Sequence, residues 1–206
     1  MKSGGVRASM PSATSHESPK RFRVIVMGVS TGGVQALKRV LGGLAADFPL
    51  PILIVQHMSP ASGDGLAKLL DQLCLLRIKE ADEEEVMQGG CAYLAPPNYH
   101  LLVESNGSLS LSAEKPVNFA RPSVDVLFES AAAAFGPAVI GIVLTGAGYD
   151  GGRGLLRIKE QGGMAIVQDP ADADASSMPK YALSLVTADH VARLTELPGL
   201  LTRLVS

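Results

Sequence analysis

The sequence predicts an α/β fold: a doubly wound, mainly parallel sheet with helices on both faces and an inserted antiparallel hairpin region. Three observations support this prediction. Apolar runs of strand length alternate with segments of helical periodicity through most of the 206 residues. Hydrophobic residues make up 47% of the chain but aromatic residues only 4%, so the interior must be built from aliphatic side chains, as in sheets covered on both faces. Between residues 89 and 112 the pattern changes to short alternating runs separated by turn residues, which is typical of hairpins.

The individual elements follow from these patterns. Buried apolar runs predict strands at residues 24–27, 51–56, 139–144 and 165–167, with a shorter strand at 77–79. Helical periodicity predicts helices at residues 34–41, 66–73, 121–135, 152–161, 179–185 and 197–204. The alternating runs at residues 91–94, 100–104 and 109–111 are interpreted as hairpin strands.

The composition indicates one globular domain, at residues 21–206, preceded by a disordered leader at residues 1–20. A formal charge of −2 gives no electrostatic footprint for nucleic acid. The chain has no apolar run of membrane-spanning length and no secretory signal, so we expect no membrane insertion and a cytoplasmic location. Cys74 and Cys91 have no metal-ligand spacing, and we expect neither a metal nor another cofactor.

The first Gly-rich turn places a serine where a predicted strand turns into a helix. Gly28-x-Ser30-x-Gly32 has the spacing of a nucleophile elbow, in which glycines allow close backbone approach and the hydroxyl stands clear of the sheet. The same turn is also typical of a phosphate cradle, because free N–H groups at a helix start bind anions. The motif alone leaves both interpretations open.

Ser30, His57 and Asp150 each follow a predicted buried strand. In an open α/β sheet the carboxyl ends of the strands border the ligand site. Acyl transfer by a serine requires a base that takes the hydroxyl proton and a carboxylate that orients the base. Taken singly, His57 is typical of a strand cap and Asp150 of a turn or helix-cap residue. The three together favour a catalytic triad.

Seven separated segments resemble the catalytic domain of the chemotaxis protein-glutamate methylesterase family: residues 28–33, 56–58, 93–96, 121–128, 144–151, 168–169 and 178–179. They occur in the family's order and extend over most of the chain. The resemblance implies Ser30 as nucleophile, His57 as general base and then acid, and Asp150 as the orienting carboxylate. It also implies that backbone N–H groups around Thr31 and Ala147 bind the oxyanion.

The implied function is a serine carboxylesterase that hydrolyses glutamate methyl esters on methyl-accepting chemotaxis receptors or a related signalling protein, and that also deamidates receptor glutamine. Residues 1–20 are too few for the receiver domain that the family carries, so we expect a stand-alone catalytic domain with a regulatory partner in trans. Ala147 and Tyr149 replace the family's usual Met and Asn, which implies a changed groove rim. The alternatives are a catalytically silent module of the same fold that holds a signalling partner, and a small-anion binder.

Overall fold

The computed structural model describes residues 22–58 and 65–206, and its main feature is a seven-stranded sheet in which every strand pair is parallel. A separate antiparallel hairpin accompanies the sheet. The predicted fold class is therefore confirmed. The predicted leader at residues 1–20 lies outside the described residues.

The elements have the following bounds. The strands are β1 (Val24–Val29), β2 (Ile52–Gln56), β3 (Arg77–Glu80), β4 (Cys91–Leu94), β5 (His100–Val103), β6 (Leu109–Ser112), β7 (Val139–Val143), β8 (Met164–Gln168) and β9 (His190–Ala192). The helices are α1 (Gly33–Leu41), α2 (Gly65–Leu73), α3 (Val124–Phe135), α4 (Gly152–Glu160), α5 (Ser177–Leu185) and α6 (Leu197–Val205). In the described part of the chain, no helix is long and apolar enough to cross a membrane.

Alternate residues of β1 face two separate hydrophobic cores. Ile25 and Met27 pack with apolar residues of α1, α2 and α6, while Val24 and Val26 pack with those of α3, α4, α5 and the β5–β6 hairpin. All four side chains are fully buried. Each such side chain contributes about 1.5–3 kcal/mol by leaving water, which explains why this strand has no polar position before its carboxyl end.

One strand prediction is wrong, and one strand of the sheet was not predicted. Residues 91–94 do not form a hairpin: β4 lies between β2 and β3 in the main sheet and runs parallel to both. All four of its residues are buried, and so short a buried run carries no periodicity that separates parallel from antiparallel pairing. The hairpin consists of β5 and β6 alone. The edge strand β9 was not predicted, because it is three residues long and partly exposed.

The strand order β3-β4-β2-β1-β7-β8-β9 places β1 at the centre of the sheet. The chain leaves β1 toward β2 on one side and later returns to β7 on the other, so the direction of winding reverses at β1. Such a reversal opens a crevice at the carboxyl ends of the strands, where ligands of α/β proteins bind. The residues that directly follow β1 and β2 are Ser30 and His57, and the segment after β7 leads to Asp150.

Candidate active site

The carboxyl ends of β1 and β2 bring Ser30 and His57 side by side. Val29 and Gln56 are register partners, and the His57 N–H donates to the Val29 carbonyl over 3.0 Å. Ser30 is half-buried, and the His57 side chain is 20% exposed. Within the described residues no hydrogen bond joins the two side chains. The hydrogen bond between a nucleophile and its base is often long before a substrate binds. The strand ends therefore place the two residues side by side, although their side chains are not hydrogen-bonded to each other.

The closest polar contact of the predicted trio joins His57 and Asp150. His57 Nε2 lies 2.8 Å from Oδ2 of the Asp150 carboxylate, which is 4% exposed. An ionised carboxylate only accepts hydrogen bonds, so Nε2 carries the proton of a neutral imidazole. Nδ1 then holds the free lone pair, and it is the nitrogen available as a base.

Asp150 also accepts hydrogen bonds from groups around the start of α3. Oδ2 accepts from one further backbone N–H, while Oδ1 accepts from two side chains and two backbone N–H groups. The donors are Val124 N (2.7 Å), Asn118 Nδ2 (2.9 Å), Ser123 Oγ (2.9 Å), Asp125 N (3.1 Å) and Gly151 N (3.1 Å). Val124 and Asp125 are the first two residues of α3, so Asp150 caps that helix from outside.

The donors around Asp150 determine its charge. Burial by itself raises the pKa of a carboxyl group, but the hydrogen bonds from His57, Asn118 and Val124 outweigh burial and hold the pKa of Asp150 below its ordinary value. The carboxylate is therefore ionised at neutral pH. An ionised Asp150 both orients His57 and favours the positive charge that this imidazole acquires when it takes a proton.

A second buried acid forms the reverse contact. Asp125, in the first turn of α3, accepts a 2.7 Å hydrogen bond from the N–H of Gly154, in the first turn of α4. The Asn118 side chain joins the two acids, donating to Asp125 over 2.8 Å and to Asp150 over 2.9 Å. Burial raises the pKa of Asp125, and the charge of Asp150 acts in the same direction. Asp150 thus caps α3, in whose first turn Asp125 lies. Asp125 in turn caps α4, which begins two residues after Asp150.

Asn118, Ser123 and Asp125 are parts of the site that the sequence did not indicate. The signal that was present, a serine and an acid at a helix start, indicates capping of their own helix. In the structure the Ser123 side chain makes no such cap and donates to Asp150 instead. Asn118 lies in an irregular loop, where the sequence carries no periodic signal.

Gln56 fastens the backbones of Ser30 and His57 to each other. Its Nε2 donates to the Ser30 carbonyl over 3.0 Å and to the His57 carbonyl over 2.9 Å. Two carbonyl acceptors on one side determine which way the amide points, since Oε1 could not take that place. Oε1 itself is buried and has no hydrogen-bond partner among the described residues. The amide therefore acts as a donor clamp between the ends of β1 and β2.

Thr145 joins the Gly-rich turn at residues 28–33 to a second Gly-rich turn, at residues 145–152, on the other side of β1. Its hydroxyl donates to the Thr31 carbonyl over 2.8 Å, and its carbonyl accepts from the Ser30 N–H over 2.9 Å. A Cβ on the next residue, Gly146, would lie only 2.9 Å from the Ser30 Cβ. Glycine is therefore required at position 146, because this approach is closer than two such carbons allow. In the other turn, at residues 28–33, the backbone bends at Gly32, which has a φ of +80°.

The predicted oxyanion donors, Thr31 and Ala147, are both exposed. Among the described residues no hydrogen bond involves their backbone N–H groups, whereas the N–H groups of Ser30 and Gly146 donate to the carbonyls of Thr145 and Ala175. Thr31 and Ala147 thus offer free donors on the two Gly-rich turns. Their role toward a substrate remains a prediction.

A cavity of about 290 Å³ opens over His57 and Asp150. It is lined by His57 and Met58, by residues 118–122 and by residues 147–150. Its size suits one side chain rather than a folded segment of another protein. In the part of the chain that the structure describes, no group of three or more His, Cys, Asp or Glu side chains is placed to hold a metal ion.

Comparison with known proteins gives one family. The family model described as CheB methylesterase matches residues 25–201. A protein of Leptospira interrogans (strain Fiocruz L1-130), provisionally named protein-glutamate methylesterase/protein-glutamine glutaminase, is 45% identical over 183 residues, which cover 89% of this chain and 95% of that protein. A Rhodopseudomonas palustris (strain BisB18) protein named protein-glutamate methylesterase/protein-glutamine glutaminase 3 is 41% identical, and the match covers 91% of this chain but 52% of that protein.

A solved structure agrees with the sequence matches. The crystal structure of the Thermotoga maritima CheB methylesterase catalytic domain superimposes with a TM-score of 0.86 and 35% sequence identity. The match covers 89% of this chain and 99% of the Thermotoga chain. The chain thus spans nearly all of the Leptospira protein and of this catalytic domain, and about half the length of the Rhodopseudomonas protein.

A first prediction concerns the charge of Asp150. Asp150→Asn should lower the free energy of unfolding at pH 7 by about 2–4 kcal/mol, because an amide would replace a carboxylate surrounded by donors. The pKa of Asp150 is lower in the folded chain than its ordinary value of 3.8. Its stabilising effect is therefore complete above that value and is lost as the pH falls through the folded pKa.

Urea unfolding of both proteins between pH 7 and pH 3 measures this effect. The difference between wild type and Asp150→Asn should be largest at pH 7 and should shrink below about pH 4. The matched control is Asp47→Asn, since Asp47 is exposed. A difference that stayed constant down to pH 3 would contradict the assignment of a lowered pKa to Asp150.

A second prediction concerns the Gln56 clamp. Gln56→Leu should lower the free energy of unfolding by about 1–3 kcal/mol, because the Ser30 and His57 carbonyls each lose a donor. Gln56→Glu should cost more, since its carboxylate would face the same two carbonyl oxygens. Denaturant titration measures both variants, with the exposed Gln35→Leu on α1 as control. Unchanged midpoints in both Gln56 variants would show that the clamp contributes nothing.

Proposed function

The chain belongs to the CheB methylesterase family, and from this premise we propose that it is a protein-glutamate methylesterase whose triad is Ser30, His57 and Asp150. The observation that supports the triad most directly is the 2.8 Å hydrogen bond between His57 Nε2 and the buried Asp150 carboxylate. It lies beside a serine at a Gly-rich strand-to-helix turn, which is the arrangement that acyl transfer requires. The names of the relatives support the choice of a glutamate methyl ester as substrate.

In the proposed acylation step, Ser30 Oγ attacks the carbonyl carbon of the methyl ester while His57 Nδ1 takes the hydroxyl proton. Nδ1 is the acceptor because Nε2 donates to Asp150. The imidazolium that forms is stabilised by the ionised carboxylate. Collapse of the tetrahedral intermediate breaks the bond to the methoxy oxygen, which takes the proton from His57 and leaves as methanol.

In the proposed deacylation step, a water molecule attacks the acyl-enzyme and His57 again takes a proton. The bond between the acyl carbon and Ser30 Oγ breaks, the serine regains its proton, and the product is a glutamate carboxylate. The same two steps on a glutamine side chain release ammonia in place of methanol. One set of groups therefore accounts for both activities in the names of the relatives.

The proposed oxyanion donors are the backbone N–H groups of Thr31 and Ala147. Each is free of other hydrogen bonds within the described residues, and the Thr145 hydroxyl, which donates to the Thr31 carbonyl, ties the two turns together. Donors that are held in place before the reaction stabilise developing charge without reorganisation, and losing one typically costs about 10²–10³ in kcat. This supports a fixed oxyanion site between the turns.

The proposed substrate is a methyl-accepting chemotaxis receptor or a related signalling protein, which the chain would meet in the cytoplasm. The cavity of about 290 Å³ over His57 and Asp150 has room for one side chain of a larger protein, although Ser30 and Thr31 are not among its lining residues. A regulatory partner in trans remains part of the proposal.

Two features favour the esterase over the alternatives. A silent binding module has no need for a buried carboxylate that holds a histidine in one tautomer. A small-anion binder would use a cation at the start of α1, whereas the basic residues of that helix, Lys38 and Arg39, lie in its last turn.

The test of the proposed function is methanol release from a methylated chemoreceptor fragment. Ser30→Ala should lower kcat/KM by several orders of magnitude, on the scale of about 10³–10⁶ seen when a triad nucleophile is removed. The fold should be unchanged, because only a half-buried hydroxyl is lost. Ser184→Ala is the control, since Ser184 is an exposed serine whose hydroxyl donates to the Tyr181 carbonyl in its own helix. A folded Ser30→Ala protein that kept a tenth of the wild-type rate would refute the nucleophile assignment.

A further inference from the structure

Phe119 is an aromatic side chain that the fold holds in water beside the candidate active site. It is 94% exposed, more than any other large hydrophobic residue in the described part of the chain. It also lines the cavity that contains His57 and Asp150. An exposed phenylalanine gains nothing from burial, so its position needs another explanation than the core.

The backbone at Phe119 is unusual as well. Its φ is +62°, and that of the preceding Asn118 is +52°. Asparagine tolerates the left-handed region, but a bulky aromatic residue rarely adopts it and is disfavoured there. The side chain thus contributes nothing to folding stability at this position, and the backbone conformation opposes it. Local strain of this kind concentrates at functional sites.

Hydrogen bonds fix the loop that carries Phe119. Val117 and Ala120 exchange two backbone hydrogen bonds of 3.1 and 2.9 Å across the turn. The Arg121 guanidinium donates to Asn98 Oδ1 over 2.7 Å and to the carbonyls of Ala113 and Glu114 over 2.7 and 2.8 Å. The backbone that carries the ring is therefore held in place rather than lying in a free loop.

The same loop is tied directly to the proposed triad. The residue before Phe119 is Asn118, whose amide donates to Asp150 over 2.9 Å and to Asp125 over 2.8 Å. The backbone at Phe119 is thereby tied through Asn118 to Asp150, which itself contacts His57. A contact made by this ring would position a substrate relative to the reacting groups.

The cavity is large enough for one side chain, so the rest of a protein substrate must lie across its rim. We propose that Phe119 is a specificity-determining residue that binds an apolar side chain of the substrate protein next to the methylated glutamate. Aromatic residues, phenylalanine among them, are enriched in protein interfaces. This inference rests on the proposed function, since the occupant is that enzyme's protein substrate.

The experiment compares a protein substrate with a small ester. Phe119→Gly removes the ring and suits the positive φ, and Phe119→Tyr keeps an aromatic ring. With a methylated chemoreceptor fragment, Phe119→Gly should raise KM by about tenfold with kcat changed less than about twofold, as expected when a substrate contact is lost. Phe119→Tyr should restore most of the wild-type KM. With methyl acetate, which has no apolar group beyond the reacting ester, kcat/KM of both variants should lie within about twofold of the wild type.

Two controls are the melting temperature of Phe119→Gly and a substitution outside the cavity. Phe119→Gly should melt at the wild-type temperature or above it, since the substitution relieves an unfavourable φ. Leu75→Ala truncates a 73% exposed leucine outside the cavity, and it should leave KM and kcat unchanged for both substrates. An unchanged KM for the receptor fragment in Phe119→Gly would overturn the proposal. Equal losses on both substrates would also overturn it, because they would show a structural role for the loop.

A binding measurement separates this inference from the proposed function. In a Ser30→Ala background, Phe119→Gly should weaken binding of the methylated receptor fragment by about tenfold, whether or not the wild type turns it over. If the wild type released no methanol but the binding loss occurred, the esterase proposal would fail and Phe119 would stand as a recognition residue. If methanol were released and neither KM nor binding depended on position 119, only the Phe119 inference would fail.

Discussion

The structure depends most on one buried carboxylate. Asp150 accepts hydrogen bonds from His57, from the Asn118 and Ser123 side chains and from three backbone N–H groups. An ion can be buried at this depth only because so many donors replace its water. The same contacts lower its pKa, cap α3 and leave His57 in one tautomer. Packing of a helix end and the chemistry proposed for the site are thus consequences of a single group.

Around this carboxylate, polar side chains connect elements that are distant in sequence. Asp125 caps α4 while Asp150 caps α3, with Asn118 between them. The side chains of Gln56 and Thr145 donate hydrogen bonds to backbone carbonyls and so connect the segments that follow β1, β2 and β7. Apart from the half-buried Asn118, these side chains are buried, so removing one of them takes hydrogen bonds from its partners at a substantial cost. The site is therefore held by the same interactions that stabilise its edge of the sheet.

The segment at residues 113–122 differs from the rest of the molecule. The sheet is built from residues whose local preference and burial agree, whereas Phe119 adopts a backbone conformation that is unfavourable for its residue type and exposes its ring. Arg121 and Asn118 stabilise the loop enough to keep this conformation. A local departure of this kind next to a cavity is expected where binding, rather than stability, determines the residue.

The sequence by itself determined the parallel sheet, because buried strands such as β1 and β7 read as continuous apolar runs. It also indicated Ser30, His57 and Asp150, since each follows such a strand and strand ends converge at one edge. Only the tertiary structure decided the remainder: β4 in the main sheet, the edge strand β9, and the partners of Asp150 and Gln56. These depend on contacts between residues far apart in the chain, such as Gln56 with Ser30 across 26 positions. Local periodicity indicates which side of an element is buried. It does not indicate which distant polar group a side chain contacts.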